Sequence, residues 1–215
     1  MDRRQFLLGG GALLSLPTLA QELALQPRAQ GQNPTDHLRP YTEIGNYTDD
    51  RDRVFMFFSY ACPYCEKYAP GIVEWGRTLP EPVQLVRVPL LTTERVSQSA
   101  ASAFYVVREV APQRIDEFDA LAYAAASNAY TPEAFPDVLR KMKLPREAIQ
   151  NALNKQVTKD RFARAILLSR RYKANVTPHF GIGGRYATNA NFTNGDYSLL
   201  VQLLNGLVSQ VITSA

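Results

Sequence analysis

The segment Val54-Phe55-Met56-Phe57-Phe58-Ser59-Tyr60 constrains this chain more than any other. Every residue in it except Ser59 is apolar or aromatic, with no helical gap pattern, which suits a strand buried on both faces of a sheet. Ala61 then leads into Cys62-Pro63-Tyr64-Cys65, which holds the only two cysteines of the protein. Proline is tolerated as the first residue of a helix, where its missing N–H has no intrahelical partner. The strand is therefore expected to turn directly into a helix capped by Cys62.

That placement has a chemical consequence. The free N–H groups and positive dipole end of a helix favour an anion, and a thiolate is one. The Cys62 pKa is expected to fall from about 8.5 into the range of roughly 3.5–7.5. Cys65, one turn on, is placed to attack a mixed disulfide on Cys62 and release the partner. A structural disulfide is the first competing reading, but so short a loop contributes only about 2 kcal/mol and a helix start needs no staple. A metal site needs further ligands, and the only histidines are His37 and His179. An inert buried pair conflicts with the Pro-Tyr spacer and the helix start. No metal and no cofactor beyond the redox-active pair Cys62-Cys65 is expected.

Residues 1–20 read as an export signal. Arg3-Arg4 precede an apolar stretch from Phe6 to Leu16, and Thr18-Leu19-Ala20 offers a small-residue cleavage site. Arg3-Arg4-Gln5-Phe6-Leu7 also matches part of a twin-arginine signal. The same arginines serve equally as the charge of a general secretion leader, so both routes stay open. The apolar stretch is too short to span a bilayer, and no cysteine near Ala20 offers a lipid anchor. The expected compartment is the bacterial periplasm, where a dithiol pair persists as a disulfide. The formal net charge of +4 is too small to argue for nucleic acid or another anionic partner.

Residues 21–38 carry Pro27, Gly31, Asn33 and Pro34 without periodicity and are expected to be a flexible segment. A short strand is expected within Tyr41–Tyr47, interrupted by Gly45, and then a solvated charged turn from Asp49 to Arg53. The Cys-x-x-Cys helix should run to about Thr78, bent at Pro70, with Trp75 in the core. Val83–Val88 alternates as a strand and is ended by Pro89, completing a right-handed βαβ unit with two parallel strands. The stretch from Glu94 to Asn154 has no convincing strand. It reads as four helices over Val96–Val110 and Ile115–Asn128 and from openings at Thr131-Pro132-Glu133 and Leu144-Pro145-Arg146-Glu147. Thr158 is expected to cap a helix from Lys159 to Lys173 with Phe162, Ile166 and Leu167 inward and Arg170, Arg171 and Lys173 complementing its C-terminal end. Val176–Ile182 and Arg185–Ala187 should pair as a hairpin around Gly183-Gly184. A last helix from Gly195 should dock a broad stripe that includes Leu199, Leu203, Leu207 and Val211.

This order of elements resembles the thioredoxin superfamily, in particular the periplasmic DsbA-type thiol:disulfide oxidoreductases, over about Tyr41 to Val211. Phe57-Phe58-Ser59, Cys62-Pro63-Tyr64-Cys65 and Ala69-Pro70 carry the resemblance. It implies an α/β thioredoxin fold with an inserted all-helical subdomain: residues 39–93 and 156–215 forming the thioredoxin domain and 94–155 the insertion. It implies catalytic roles for Cys62 and Cys65, tuning by Pro63 and Tyr64, and a substrate-aligning cis-proline loop at Thr177-Pro178. His179, next to that loop, either tunes Cys62 or points away. Two departures stand out. Met56 occupies the position of the family's buried acid, leaving Glu66 or water as the proton acceptor for Cys65. Tyr64 stands where strongly oxidising members have histidine. Tyr64 with Thr177 resembles the DsbG-type branch, whose N-terminal dimerisation domain residues 21–38 are too few to supply.

The resemblance implies a monomeric disulfide donor to unfolded or thiol-containing exported proteins, reset by a DsbB-like or DsbD-like membrane redox partner. The expected potential is roughly −130 to −220 mV. A reductase or isomerase of wrong disulfides or sulfenic acids is the alternative within redox chemistry, and a peptide-binding chaperone module the alternative outside it.

Overall fold

The computed structural model describes residues 39–214. The leader expected at residues 1–20 and the segment at 21–38 lie outside the described residues. Strands β1 (Thr42–Glu43), β2 (Arg53–Phe58), β3 (Gln84–Pro89), β4 (His179–Ile182) and β5 (Tyr186–Asn189) form one sheet in the order β1-β5-β4-β2-β3. Helix α1 (Pro63–Arg77) links β2 to β3. Helices α2 (Arg95–Val110), α3 (Ile115–Asn128), α4 (Ala134–Lys141) and α5 (Arg146–Asn154) stand between β3 and α6 (Gln156–Arg171), and α7 (Tyr197–Thr213) closes the chain.

The central strand is the apolar run singled out from sequence. β2 pairs in parallel with β3, Val54 opposite Leu85, and antiparallel with β4, Phe57 opposite His179. Residues on alternate sides of a strand face opposite layers, and both layers are filled. Phe55 and Phe57 pack on Tyr172, just past α6, at ring separations of 5.3 and 5.8 Å. Phe58 points the other way and meets Tyr60 and Phe104 of α2 at 5.2 Å each. A fully buried ring stabilises the fold by about 2–3 kcal/mol, so the position of β2 is strongly specified. The α1 helix keeps Pro70 in its interior, and Trp75 is buried with its indole N–H donating to Asn205 Oδ1 at 2.8 Å.

The β4–β5 turn runs through Gly183, Gly184 and Arg185, and the two glycines, with φ of +59° and +70°, take the left-handed conformation that glycine adopts without strain. A side chain at Gly184 would fall 2.0 Å from the Tyr47 carbonyl oxygen. Asp196 caps α7 by accepting the Leu199 N–H at 2.9 Å.

Several expectations need correction. β1 is only Thr42–Glu43, because its single partner is β5. Helix α4 starts at Ala134 rather than at Thr131, which puts Pro136 in its first turn, where no N–H is needed. Helix α6 starts at Gln156, so Thr158 lies buried within it instead of capping it. Its inward row is Thr158, Ala165 and Leu168, while Ile166 and Leu167 are exposed. At the other end of α6 the backbone caps itself. Lys173, with φ of +52°, donates to Arg170 O and Ala174 donates to Ser169 O, the Schellman arrangement. Leu199 is exposed and Leu203 half-buried, so the buried face of α7 is Leu200, Leu204, Leu207, Val208 and Val211.

The turn expected to be solvated holds a buried acid. Asp50 is fully enclosed and accepts hydrogen bonds from Arg171, from the Tyr172 hydroxyl at 3.2 Å and from Arg164 at 3.4 Å. Those partners lie more than a hundred residues further along the chain, where local sequence gives no hint of them.

Candidate active site

At the end of β2 the chain turns through Ser59, Tyr60 and Ala61, and Cys62 becomes the cap of α1. Its N–H donates to Ser59 O at 3.1 Å, and its sulfur accepts the Cys65 N–H at 3.3 Å. Pro63 is the first helical residue. Cys62 is half-buried and Cys65 wholly enclosed, and both are free thiols. Across a gap of 3.1 Å from Cys62 Sγ lies the carbonyl oxygen of Thr177, which precedes Pro178 through a cis peptide bond. The structure thus brings together Cys62, Pro63, Cys65, Thr177 and Pro178. Tyr64 is half exposed at the rim. It packs on Tyr68 at 5.7 Å and over Gly195, while Tyr68 donates to Gly195 O.

The two sulfurs have opposite electrostatics. Hydrogen bonding from the Cys65 thiol, and then from the Thr177 side chain and the N–H groups of Cys65 and Tyr64, outweighs burial and holds Cys62 at about 6, against 9.0 ordinarily. Burial, and then the adjoining Cys62, push Cys65 strongly upward. At neutral pH the outer sulfur is a thiolate and the inner one a thiol. That division suits disulfide exchange: the outer sulfur attacks and departs easily, and the inner one keeps its proton.

His179 lies two residues from Thr177 but turns inward. It is buried, it donates from Nε2 to Tyr172 O at 2.9 Å, and burial lowers its pKa. It is a neutral core group under Phe57. Met56 is fully buried in the strand, and Glu66 is exposed.

Sequence reasoning missed a polar cluster beneath the site. Arg87 of β3 forms an ion pair with Asp119 of α3, and Tyr60 donates to the other Asp119 oxygen at 2.6 Å. The Arg87 guanidinium also lies 4.8 Å from the Phe58 ring centre. Tyr123, one turn along α3, meets the Tyr60 ring edge-to-face at 4.8 Å and has a buried hydroxyl without a partner among the described residues. Burial pushes the Tyr123 phenol upward. Glu66, Ala69, Asp119 and Tyr123 line one cavity of about 560 Å³ beside α1. The available signal was Asp119 itself, an acid set in the apolar row Ile115, Phe118, Ala122 and Tyr123. No group of three or more potential metal-ligating side chains occurs among the described residues.

A half-exposed thiolate capping a helix, an enclosed partner thiol and a cis-proline loop across from them, on this sheet, define a thioredoxin fold with thiol–disulfide chemistry, here with an inserted helical domain. No family model matches the chain. It is 21% identical to the thiol:disulfide interchange protein DsbA of Bordetella parapertussis, over 92% of this chain and 95% of that protein. The crystal structure of Pseudomonas aeruginosa DsbA superposes with a TM-score of 0.71 at 20% identity, covering 85% of this chain and 98% of that one. A cysteine variant of Proteus mirabilis DsbA, solved with the non-covalently bound peptide PWATCDS, gives a TM-score of 0.66 at 13% identity over 81% and 96% of the two chains. These relatives and structures support a DsbA-type thiol:disulfide oxidoreductase of the thioredoxin superfamily.

Proposed function

We propose that this protein is a monomeric disulfide donor that acts on thiol-containing exported proteins in the periplasm of a Gram-negative bacterium. The observation that carries the reading is the asymmetry of the pair, a half-exposed Cys62 held at about 6 in front of an enclosed Cys65. In the oxidised protein a client thiolate attacks Cys62 Sγ. The Cys62–Cys65 bond breaks, and Cys65 leaves and takes up a proton. The client's second thiolate then attacks the client sulfur of the mixed disulfide, and Cys62 departs as a stabilised thiolate. Two electrons pass from two client thiols to the pair, and the client gains one disulfide. Thr177 and Pro178 align the client chain beside Cys62, and Pro63 and Tyr64 tune the thiolate. The periplasmic setting is supported by the leader-like residues 1–20 and by the DsbA relatives. A membrane redox partner of the DsbB-like kind reoxidises the pair.

Equilibration of the pair with glutathione, read as mass after alkylation, tests the reading. The donor reading expects a potential of roughly −130 to −220 mV. A value below about −250 mV overturns the donor in favour of a reductase or isomerase fed by a DsbD-like partner. Tyr64 and Met56, where stronger oxidants differ, favour that second reading. Replacing Cys62 by Ser abolishes client oxidation if the protein is an enzyme and leaves client binding intact if it is a chaperone module.

A further inference from the structure

A cleft of about 800 Å³ lies between the loop after β3 and the end of α6, within the size range of specific ligand sites. Its apolar lining comes from Leu90 and Leu91 after β3 and from Phe162 and Ile166 of α6, and it also carries Arg170 and Lys173. Asn175 lies in its wall, two residues before the Thr177 carbonyl that faces Cys62 Sγ at 3.1 Å. Two residues of chain span at most about 7 Å, so the Asn175 wall of the cleft lies within reach of a client chain held at Cys62.

Its charge is one-sided. Arg170 and Lys173 are both exposed, no acid lines the cleft, and neither cation forms an ion pair among the described residues. Capping of α6 does not occupy them either, because the backbone N–H groups of Tyr172, Lys173 and Ala174 fill the last carbonyls. Ile166 remains 40% exposed in the lining. Two unpaired cations beside an open apolar lining complement an extended polypeptide that carries an apolar side chain and a carboxylate.

We propose that the cleft formed by Leu90, Leu91, Phe162, Ile166, Arg170 and Lys173 selects client segments in which an apolar residue and an Asp or Glu lie within about five positions of the reacting cysteine. The proposal rests on the disulfide-donor reading and names its substrate class. The charges act on encounter and docking at Cys62, so they change the rate of mixed-disulfide formation and leave the chemistry of the pair as it is.

The test is stopped-flow reduction of the oxidised protein by an excess of single-cysteine peptides of equal length, two of which leave joined by one intermolecular disulfide for each pair reduced. The peptides carry Leu with either two Glu, two Gln or two Lys at the third to fifth positions from Cys. With the unaltered protein at low salt, the Glu peptides are expected to react about three- to tenfold faster than the Gln peptides and the Lys peptides more slowly still. The Glu-to-Gln ratio should fall towards one in about 0.5 M salt and in the double variant Arg170→Gln with Lys173→Gln. Reading the ratio within each protein removes any general effect of the substitutions. Equal Glu and Gln rates, or a preference that survives in the double variant, overturns the proposal. The glutathione equilibrium is the control for the underlying reading. A potential below about −250 mV brings down the donor function and the proposal together; a value above it leaves only the selectivity at stake.

Discussion

Cys62 is the residue on which the chemistry turns, and its ionisation is directly measurable. Ultraviolet absorbance of the thiolate in the reduced protein should titrate with a midpoint at about 6, against 9.0 for an ordinary thiol. Alkylation at mildly acidic pH should label Cys62 well before Cys65. A midpoint near the ordinary value, or first labelling at Cys65, would remove the basis for the exchange mechanism. This residue was legible from sequence because its setting is local: an apolar strand, a proline at the first helical position and a cysteine one turn on. His179 was not, since alternation along a strand says which side a residue takes relative to its neighbours but not which side faces the thiolate. The structure turns it inward to the Tyr172 carbonyl.

Among the elements, β3 and α3 are joined by the buried ion pair of Arg87 with Asp119. Replacing Asp119 by Ala leaves the Arg87 guanidinium enclosed without its counter-charge and frees the Tyr60 hydroxyl. Chemical denaturation should show a loss of about 3–5 kcal/mol. Replacing both partners by apolar residues, Arg87→Met with Asp119→Leu, should recover most of that loss. A single variant as stable as the parent would show that the pair contributes little. Helix positions were readable from periodicity, but which face of α6 turns inward was not. Ile166 and Leu167 lie outward, and the row actually buried is Thr158, Ala165 and Leu168. That choice goes with the packing of α6 on α2, where Phe162 meets Tyr105, and with the Asp50 to Arg171 contact. Both connect parts of the chain that sequence windows never compare.

For the molecule as a whole, the redox state of the pair and the stability of the fold are linked. A thiol whose pKa is lower in the folded than in the unfolded state stabilises the fold above its unfolded pKa. That contribution is lost as pH falls through the folded value. With Cys62 at about 6 folded and 9.0 ordinarily, the reduced protein should gain thermal stability over the oxidised one as pH rises from about 6 to 9. Below about pH 5 this contribution should vanish. The raised pKa of Cys65 acts oppositely, but only above its ordinary range, so it limits the gain at high pH. Paired melting curves of the two redox forms check this, and a gap that widened towards acid pH would contradict it. The order of elements was readable because the parallel unit and the hairpin each have local signals. The placing of β4 between β2 and β5 was not, since it rests on pairings across more than a hundred residues.

The enclosure of Cys65 sets a rule of traffic. With one sulfur sealed behind the other, the pair has a single doorway, and two clients can never be served at once from opposite sides. Raising the number of waiting thiols lengthens the queue at Cys62 without opening a second route, so throughput is governed by how quickly the occupant of that one place leaves.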